Sequence, residues 1–322
     1  MAAPRIVTVT LNPAVDRVLE APRFAVGKHV TARQVAHYPA GKGVIVSRVL
    51  SQLGARSVAT GFVGRNELAM FEEHLERVGA GHTVCQFLIV RARTRDNTTI
   101  VDPIEDTETH IRAEGFTVQP DDVGRMMSKV GMLARRGVVM AFCGSLPPGL
   151  EPGAFASMLS RAREQGAQVI VDSSGDALKA LRGQPLWMVK VNAQELAVLT
   201  GKPTETEDEI RVAARALSAF EGGPVTYVVA TRGADGAIFY GPDTAFVGRV
   251  SVHPGRIVST VGCGDALLAG MLHEWSTSAD WSAALKRGLA IATANAVNRE
   301  AGLVKDEDIR EFEAATMLER AG

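Results

Sequence analysis

The chain has 322 residues, 46% hydrophobic and 22% charged, with 35 Lys and Arg against 36 Asp and Glu. This is the composition of an ordinary soluble globular protein, and a formal net charge of −1 gives no electrostatic case for nucleic acid or an anionic membrane as partner. Cys85, Cys143 and Cys263 are odd in number and far apart, so they suggest neither a disulfide framework nor a zinc motif.

A reducing cytoplasm is the expected location. The amino-terminal Met1–Arg5 leads into a short apolar run without a signal-peptide core, and no uncharged stretch approaches the roughly 20 residues of a membrane span. The length fits a single α/β domain over residues 1–322.

In chain order, Ile6–Leu11, Ser57–Phe62, Val138–Cys143, Gln168–Asp172, Trp187–Val191 and Val225–Ala230 read as strands buried on both faces. Between them, Glu67–Val78, Asp121–Arg136, Pro152–Gln165 and Glu207–Phe220 carry apolar residues at helical spacing. The alternation predicts a mainly parallel sheet covered by helices. Ala266–Glu274, Ser282–Arg299 and Asp306–Arg320 predict a carboxy-terminal third that is nearly all helical. Two stretches break the rhythm with β-like patterns, Asp16–His37 and Val84–Arg112. They read either as surface hairpins or together as a small β-sheet lid.

The most informative segment is Ser259–Gly270, S-T-V-G-C-G-D-A-L-L-A-G. Gly262 and Gly264 leave bare backbone where a helix starts, so free N–H groups and the positive end of the helix dipole make an anion site. Asp265 places a carboxylate beside it, able to take a proton from an attacking hydroxyl. A glycine turn with a capping Asp reads from the same residues. Other phosphate and hydrolase signatures are missing: no P-loop, no G-x-G-x-x-G after the first strand, no H-E-x-x-H and no G-x-S-x-G.

Further motifs come in a set order: L-N-P-A-V-D at 11–16, P-A-G-K-G at 39–43, T-R-D-N at 94–97, G-S-L-P-P-G at 144–149, D-S-S-G at 172–175, K-V-N-A-Q-E-L at 190–196 and T-R-G-A-D-G at 231–236. With the Gly262–Asp265 loop, this series resembles the ribokinase-like sugar kinases, and within them the phosphofructokinase B branch. The resemblance runs from about Ile6 to about Arg299 and implies a three-layer α/β/α fold with a mainly parallel central sheet and a small β-sheet lid.

It also implies transfer of the γ-phosphoryl of ATP, with Mg2+, to a ketohexose phosphate. Fructose 1-phosphate is the expected acceptor, tagatose 6-phosphate and fructose 6-phosphate the alternatives. From another class stands a sugar-phosphate or nucleotide-binding protein with weak catalysis, suggested by Ile45. Asp265 is then the base, with Gly262, Cys263 and Gly264 binding developing charge. Asp16, Lys28, Gly41, Lys42, Arg95 and Ser145 would meet the sugar phosphate, Lys28 and Arg95 supplying one cation from each insert. Lys190, Asn192, Thr231, Gly233, Gly236 and Asn295 would meet the nucleotide, and Asn192 with Glu195 would organise magnesium through water. Asn192 and Glu195 also read as a capping box. The lid is expected to serve as a homodimer surface.

Two positions depart from the resemblance. Ile45 stands where relatives usually have Asn, which removes a polar group if it lines the sugar pocket. Cys263 stands where Ala is common, and a thiol at a helix N-terminus is expected to have a lowered pKa.

Overall fold

The computed structural model describes residues 5–78, 81–219 and 223–321. The first half runs β1 (Arg5–Thr10), β2 (Ala14–Glu20), β3 (Arg33–Ala40), α1 (Lys42–Gln52), β4 (Ser57–Gly64), α2 (Leu68–Val78), β5 (Thr83–Val90), β6 (Arg95–Asp102), β7 (Thr107–Arg112), α3 (Pro120–Leu133) and β8 (Val138–Cys143). Then come α4 (Pro152–Glu164), β9 (Gln168–Asp172), α5 (Asp176–Lys179), β10 (Leu186–Asn192), α6 (Ala193–Thr200), α7 (Glu207–Ser218) and β11 (Val225–Thr231). The chain ends with β12 (Ala237–Gly241), β13 (Thr244–Val250), α8 (Cys263–Ser278), α9 (Trp281–Ala296), α10 (Asp306–Ala314) and β14 (Thr316–Ala321).

Ten strands form the main sheet in the order β14-β13-β12-β11-β10-β9-β8-β1-β4-β5. From β5 to β11 all pairings are parallel, and β12, β13 and β14 close that edge antiparallel. Strand side chains alternate between two cores. In β8, Val138, Met140 and Phe142 pack against α3 to α7, whereas Val139, Ala141 and Cys143 pack against α1 and α8 to α10. Both faces are therefore apolar, as a doubly covered parallel sheet requires. Fully burying a side chain such as Phe142, which meets Phe155 edge-on at 5.7 Å, contributes roughly 1.5–3 kcal/mol.

The chain leaves central β1 toward β4 and β5, then crosses back to β8 and proceeds the other way. Its connections diverge at the carboxyl ends of β1 and β8, and such a divergence opens a crevice. Above it lies a second sheet, β3-β2-β6-β7.

The second insert is shorter than the predicted 84–112. β5 pairs with β4 along its length, from Thr83 beside Ser57 to Val90 beside Gly64, so it is an edge strand of the main sheet. Its polar–apolar alternation reflects that edge, where its middle residues are only half covered. The lid takes from this stretch only β6 and β7.

The carboxy-terminal third also differs. The expected helix Asp306–Arg320 stops at Ala314, and β14 pairs antiparallel with β13. Met317 and Glu319 point outward while Leu318 packs on the core, a strand periodicity too short to stand out beside the charged helix before it. Ala237–Val250, unassigned in the sequence reading, is the β12–β13 hairpin. Phe220, the expected end of the 207–220 helix, and positions 1–4 and 322 of the expected domain lie outside the described residues. No helix among the described residues is long and apolar enough to cross a membrane.

Candidate active site

A cleft of about 640 Å³ lies at the carboxyl ends of β1, β8, β9, β10 and β11, beneath the lid sheet. Its floor is the start of α8. Gly262 caps that helix in the left-handed region, φ +78°, where a Cβ would also come within 3.1 Å of the Ala301 methyl. At Gly264 a Cβ would stand 2.9 Å from Lys190 Nζ. Gly262 therefore requires glycine, and at Gly264 a side chain would have to displace the Lys190 ammonium. The first-turn N–H groups have no intrahelical acceptor; Cys263 N–H turns to the Thr260 carbonyl at 3.4 Å, while Gly262 and Gly264 line the cleft.

Asp265 follows in the first turn, 6% exposed and lining the same cleft. Burial, and then the charge of Asp172, push its pKa up to about 7 against the pull of Lys42 and Lys190. Asp172 ends β9 and is 1% exposed, with Lys42 Nζ donating to Oδ1 at 2.9 Å and Lys190 Nζ to Oδ2 at 2.7 Å. Burial opposes its ionisation, but Lys190 and Lys42 outweigh burial and hold its pKa below the usual carboxylate range. Lys42 loses by burial too, and the Asp172 and Asp265 charges more than restore it, keeping the ammonium protonated. One carboxylate thus fixes two cations beside Asp265. Asp172 was quoted in the D-S-S-G motif without a role, since only the fold brings α1 and β10 to it.

The lid side carries Asp16, whose Oδ1 accepts from Asn97 Nδ2 at 2.9 Å. Burial raises its pKa, partly offset by Asn97 and by Arg95. Arg95 lines the cleft with its guanidinium spent on backbone: Nε to Pro13 O at 3.3 Å, Nη1 to Ala113 O at 2.7 Å and Nη2 to Asn12 O at 3.1 Å. Arg112 of β7, which the sequence reading passed over, lines the cleft too, and its guanidinium makes no hydrogen bond or ion pair among the described residues. Its strand pairing with Asn97 is the signal, visible only in the fold. Ser145 accepts from Asn12 Nδ2 at 3.1 Å at the cleft wall, and Gly41 and Ile45 belong to the same wall. Ile45 is 7% exposed and also packs in the core beneath.

On the far side, Asn192 and Glu195 form the capping box of α6, each side chain bonding the other's backbone N–H at 2.8 Å. Both line the cleft, as does Thr231. Among the described residues no three His, Cys, Asp or Glu side chains cluster as a metal cage.

Five predicted site residues fall outside the cleft lining. Lys28 is exposed in the β2–β3 loop, so it and Arg95 do not form the expected pair of cations. Gly233 and Gly236 shape the turn into β12, where a Cβ on Gly236 would strike Gly248 O. Cys263 points inward, and burial raises its thiol pKa, contrary to the lowering expected from the helix terminus. Asn295 is fully buried, its amide engaged by Val261, Cys263 and Gly302 rather than turned to a ligand.

The sequence matches the profile of the pfkB family carbohydrate kinases over residues 7–307. It is 36% identical over 281 residues to the 1-phosphofructokinase of Rhodobacter capsulatus, covering 86% of this chain and 85% of that one. With the 1-phosphofructokinase of Haemophilus influenzae it shares 33% over 272 residues, 83% of each chain. Among solved structures, phosphofructokinase-2 of Escherichia coli in complex with potassium superposes with a TM-score of 0.85 at 25% identity, over 97% of this chain and 98% of that one. A possible 1-phosphofructokinase of Thermotoga maritima superposes with a TM-score of 0.84 at 27% identity, over 99% and 100%.

Proposed function

The chain belongs to the pfkB family of carbohydrate kinases, and from that premise we propose that it transfers the γ-phosphoryl group of ATP to fructose 1-phosphate, giving fructose 1,6-bisphosphate. The observation that carries the reading is Asp265 in the first turn of α8, beside the free N–H groups of Gly262 and Gly264 and facing two lysines held by Asp172. A base, an anion site and fixed positive charge meet at one end of one cleft.

In this reading the acceptor lies under the lid. Asp16 and Asn97 take its hydroxyls, and Arg112 meets the phosphate it already carries. Arg95, bound to three carbonyls, holds β6 against residues 12–13 and adds its charge from behind. Asp265 accepts the proton of the attacking hydroxyl, whose oxygen forms the new P–O bond as the bond to the β-phosphate oxygen breaks. The N–H groups of Gly262 and Gly264 and the ammonium groups of Lys42 and Lys190 face the charge on the transferring group. Phosphoryl transfer has a loose transition state, so this positioning and charge matter more than the base itself.

Asn192 and Glu195 suit a magnesium ion held through its waters. Each uses one side-chain oxygen on the capping box, which leaves Glu195 Oε1 for water and provides no inner-sphere cage. The chemistry such an ion supplies is neutralisation of the nucleotide's phosphate charge. We also place a homodimer contact on the outer face of the lid.

A coupled ADP-release assay over fructose 1-phosphate, fructose 6-phosphate, tagatose 6-phosphate and fructose tests the reading. Turnover should be fastest with fructose 1-phosphate and lowest with the unphosphorylated sugar. Equal use of fructose and its phosphate esters would remove the phosphate-binding role of the lid.

A further inference from the structure

Asn295 sits in the last turn of α9 and is fully buried, and the reaction above gives it no part. Its amide uses both ends. Nδ2 donates to the Val261 carbonyl at 2.9 Å and lies 3.3 Å from the Cys263 sulfur, while Oδ1 accepts from the Gly302 N–H at 2.7 Å. The neighbouring Ala296 carbonyl accepts from Val258 N–H at 2.8 Å and Ser259 N–H at 3.1 Å. The segment leading into α8 is thus strapped to the end of α9.

Peptide geometry makes the bond to Val261 directional. In a trans peptide the carbonyl and the following N–H point opposite ways. With the Val261 carbonyl held in the interior, the Gly262 N–H of the same unit faces the cleft that both residues line. A flip of this unit would turn a carbonyl oxygen toward the anion and leave the buried Asn295 amide without its acceptor, which is costly. We propose that Asn295 is a positioning residue that locks the Val261–Gly262 peptide with its N–H toward the transferring phosphoryl group. The inference rests on reading Gly262–Gly264 as the anion-binding loop.

The other end of the amide couples this lock to the acceptor side. Gly302 belongs to a segment gripped by α1: Arg48 pairs with Glu300 at 2.7 Å and donates to Ala301 O at 2.7 Å, and Gln52 Oε1 accepts from Val304 N–H at 3.2 Å. The same helix carries Lys42 and Ile45 into the cleft. Asn295 therefore joins the anion loop to the helix holding one of the two lysines.

Two variants test this. Asn295→Leu keeps the branched shape without polarity, and Asn295→Ser, one bond too short to reach the Val261 carbonyl, removes the same contact without adding bulk. Each is compared with the parent for steady-state constants, melting temperature and inhibition by ADP with aluminium fluoride, a planar mimic of the transferring group. The expected result is a kcat lower by about 10- to 100-fold, with both KM values within about threefold of the parent. Inhibition by the mimic should weaken in step with kcat. A folded Ser variant with kcat and inhibition close to the parent's, whatever its melting temperature, overturns the proposal and makes Asn295 a structural amide. The two readings fail differently: a parent chain that transfers nothing removes the kinase reading, whereas an active parent with an equally active Ser variant removes only the role of Asn295.

Discussion

Asp265 is asked to be a base although it is buried, and that sets a pH dependence. Its pKa is pushed up to about 7, by burial first and the Asp172 charge second. A base must be ionised to act, so kcat/KM should climb with pH and level off above about 7. Stability runs the other way. A folded pKa above the usual 3.8 means that the native state keeps a proton the unfolded chain releases, so this contribution is lost as pH rises from about 4 to about 7. Asp265→Asn should therefore lower kcat by at least ~10²-fold and yet melt higher than the parent at about pH 8, the difference fading toward about pH 4. Near-normal turnover in that variant would take the role of base from Asp265. Ile45 lines the cleft and packs in the core at once, so its part in the choice of acceptor is open to test. If it orients sugar, Ile45→Asn should change the preference between fructose 1-phosphate and its competitors by roughly 2- to 13-fold, the worth of one hydrogen bond. A lower melting temperature with unchanged preference would return it to the core alone. Gly262, Gly264 and Asp265 were legible because an anion loop is local, built from neighbours in sequence. The resemblance assigns Asp172 no role and places Asn295 at the nucleotide rather than on the anion loop, because their partners lie far along the chain: Lys42 on α1 for the first, Val261 and Gly302 for the second.

At the scale of elements, the lid divides its two arginines between different tasks. Arg112 leaves its guanidinium free in the cleft, whereas Arg95 ties β6 to residues 12, 13 and 113. Arg112→Ala should raise KM for the sugar phosphate by roughly 10- to 150-fold, the worth of a charge-assisted contact, with little change for ATP or in melting temperature. Arg95→Ala should lower melting temperature as well, because backbone carbonyls lose their donors. A KM for the sugar phosphate that Arg112→Ala leaves unchanged would move the acceptor's phosphate elsewhere. The strands of the parallel sheet were readable within a residue or two, because burial on both faces makes continuous apolar runs such as Val138–Cys143. β5 was misplaced for the same physical reason: as an edge strand it alternates like a lid strand, and only its pairing with β4 distinguishes them. β14 followed a charged helix too closely for its short period to stand out.

For the whole molecule, the two sheets divide the labour. The main sheet and its helices hold Asp265, Asp172 and the lysines rigidly, while the small sheet brings Asp16, Asn97 and Arg112 over them. A homodimer through the lid predicts a particle of twice the chain mass in sedimentation equilibrium. Replacing the exposed Val35 of the lid sheet, which does not line the cleft, with Glu should return it to monomer. A parent chain that stays monomeric at high concentration would discard that contact. Order along the chain made the family legible, since eight short motifs, each weak, follow one another in a set order, six of them at the carboxyl ends of strands, and the fold gathers most of them in one cleft.

The most direct test of the central claim follows the phosphoryl group itself. ATP labelled in its γ-phosphate is incubated with fructose 1-phosphate, magnesium and the enzyme, and the products are separated. The account predicts label on the 6-phosphate of fructose 1,6-bisphosphate, one for each ADP formed, with none in inorganic phosphate and transfer at least ~10²-fold slower in Asp265→Asn. Label appearing only in inorganic phosphate would contradict it, as would label on the 1-phosphate rather than the 6-phosphate of fructose 1,6-bisphosphate when fructose 6-phosphate competes, or label preferentially in tagatose 1,6-bisphosphate when tagatose 6-phosphate competes.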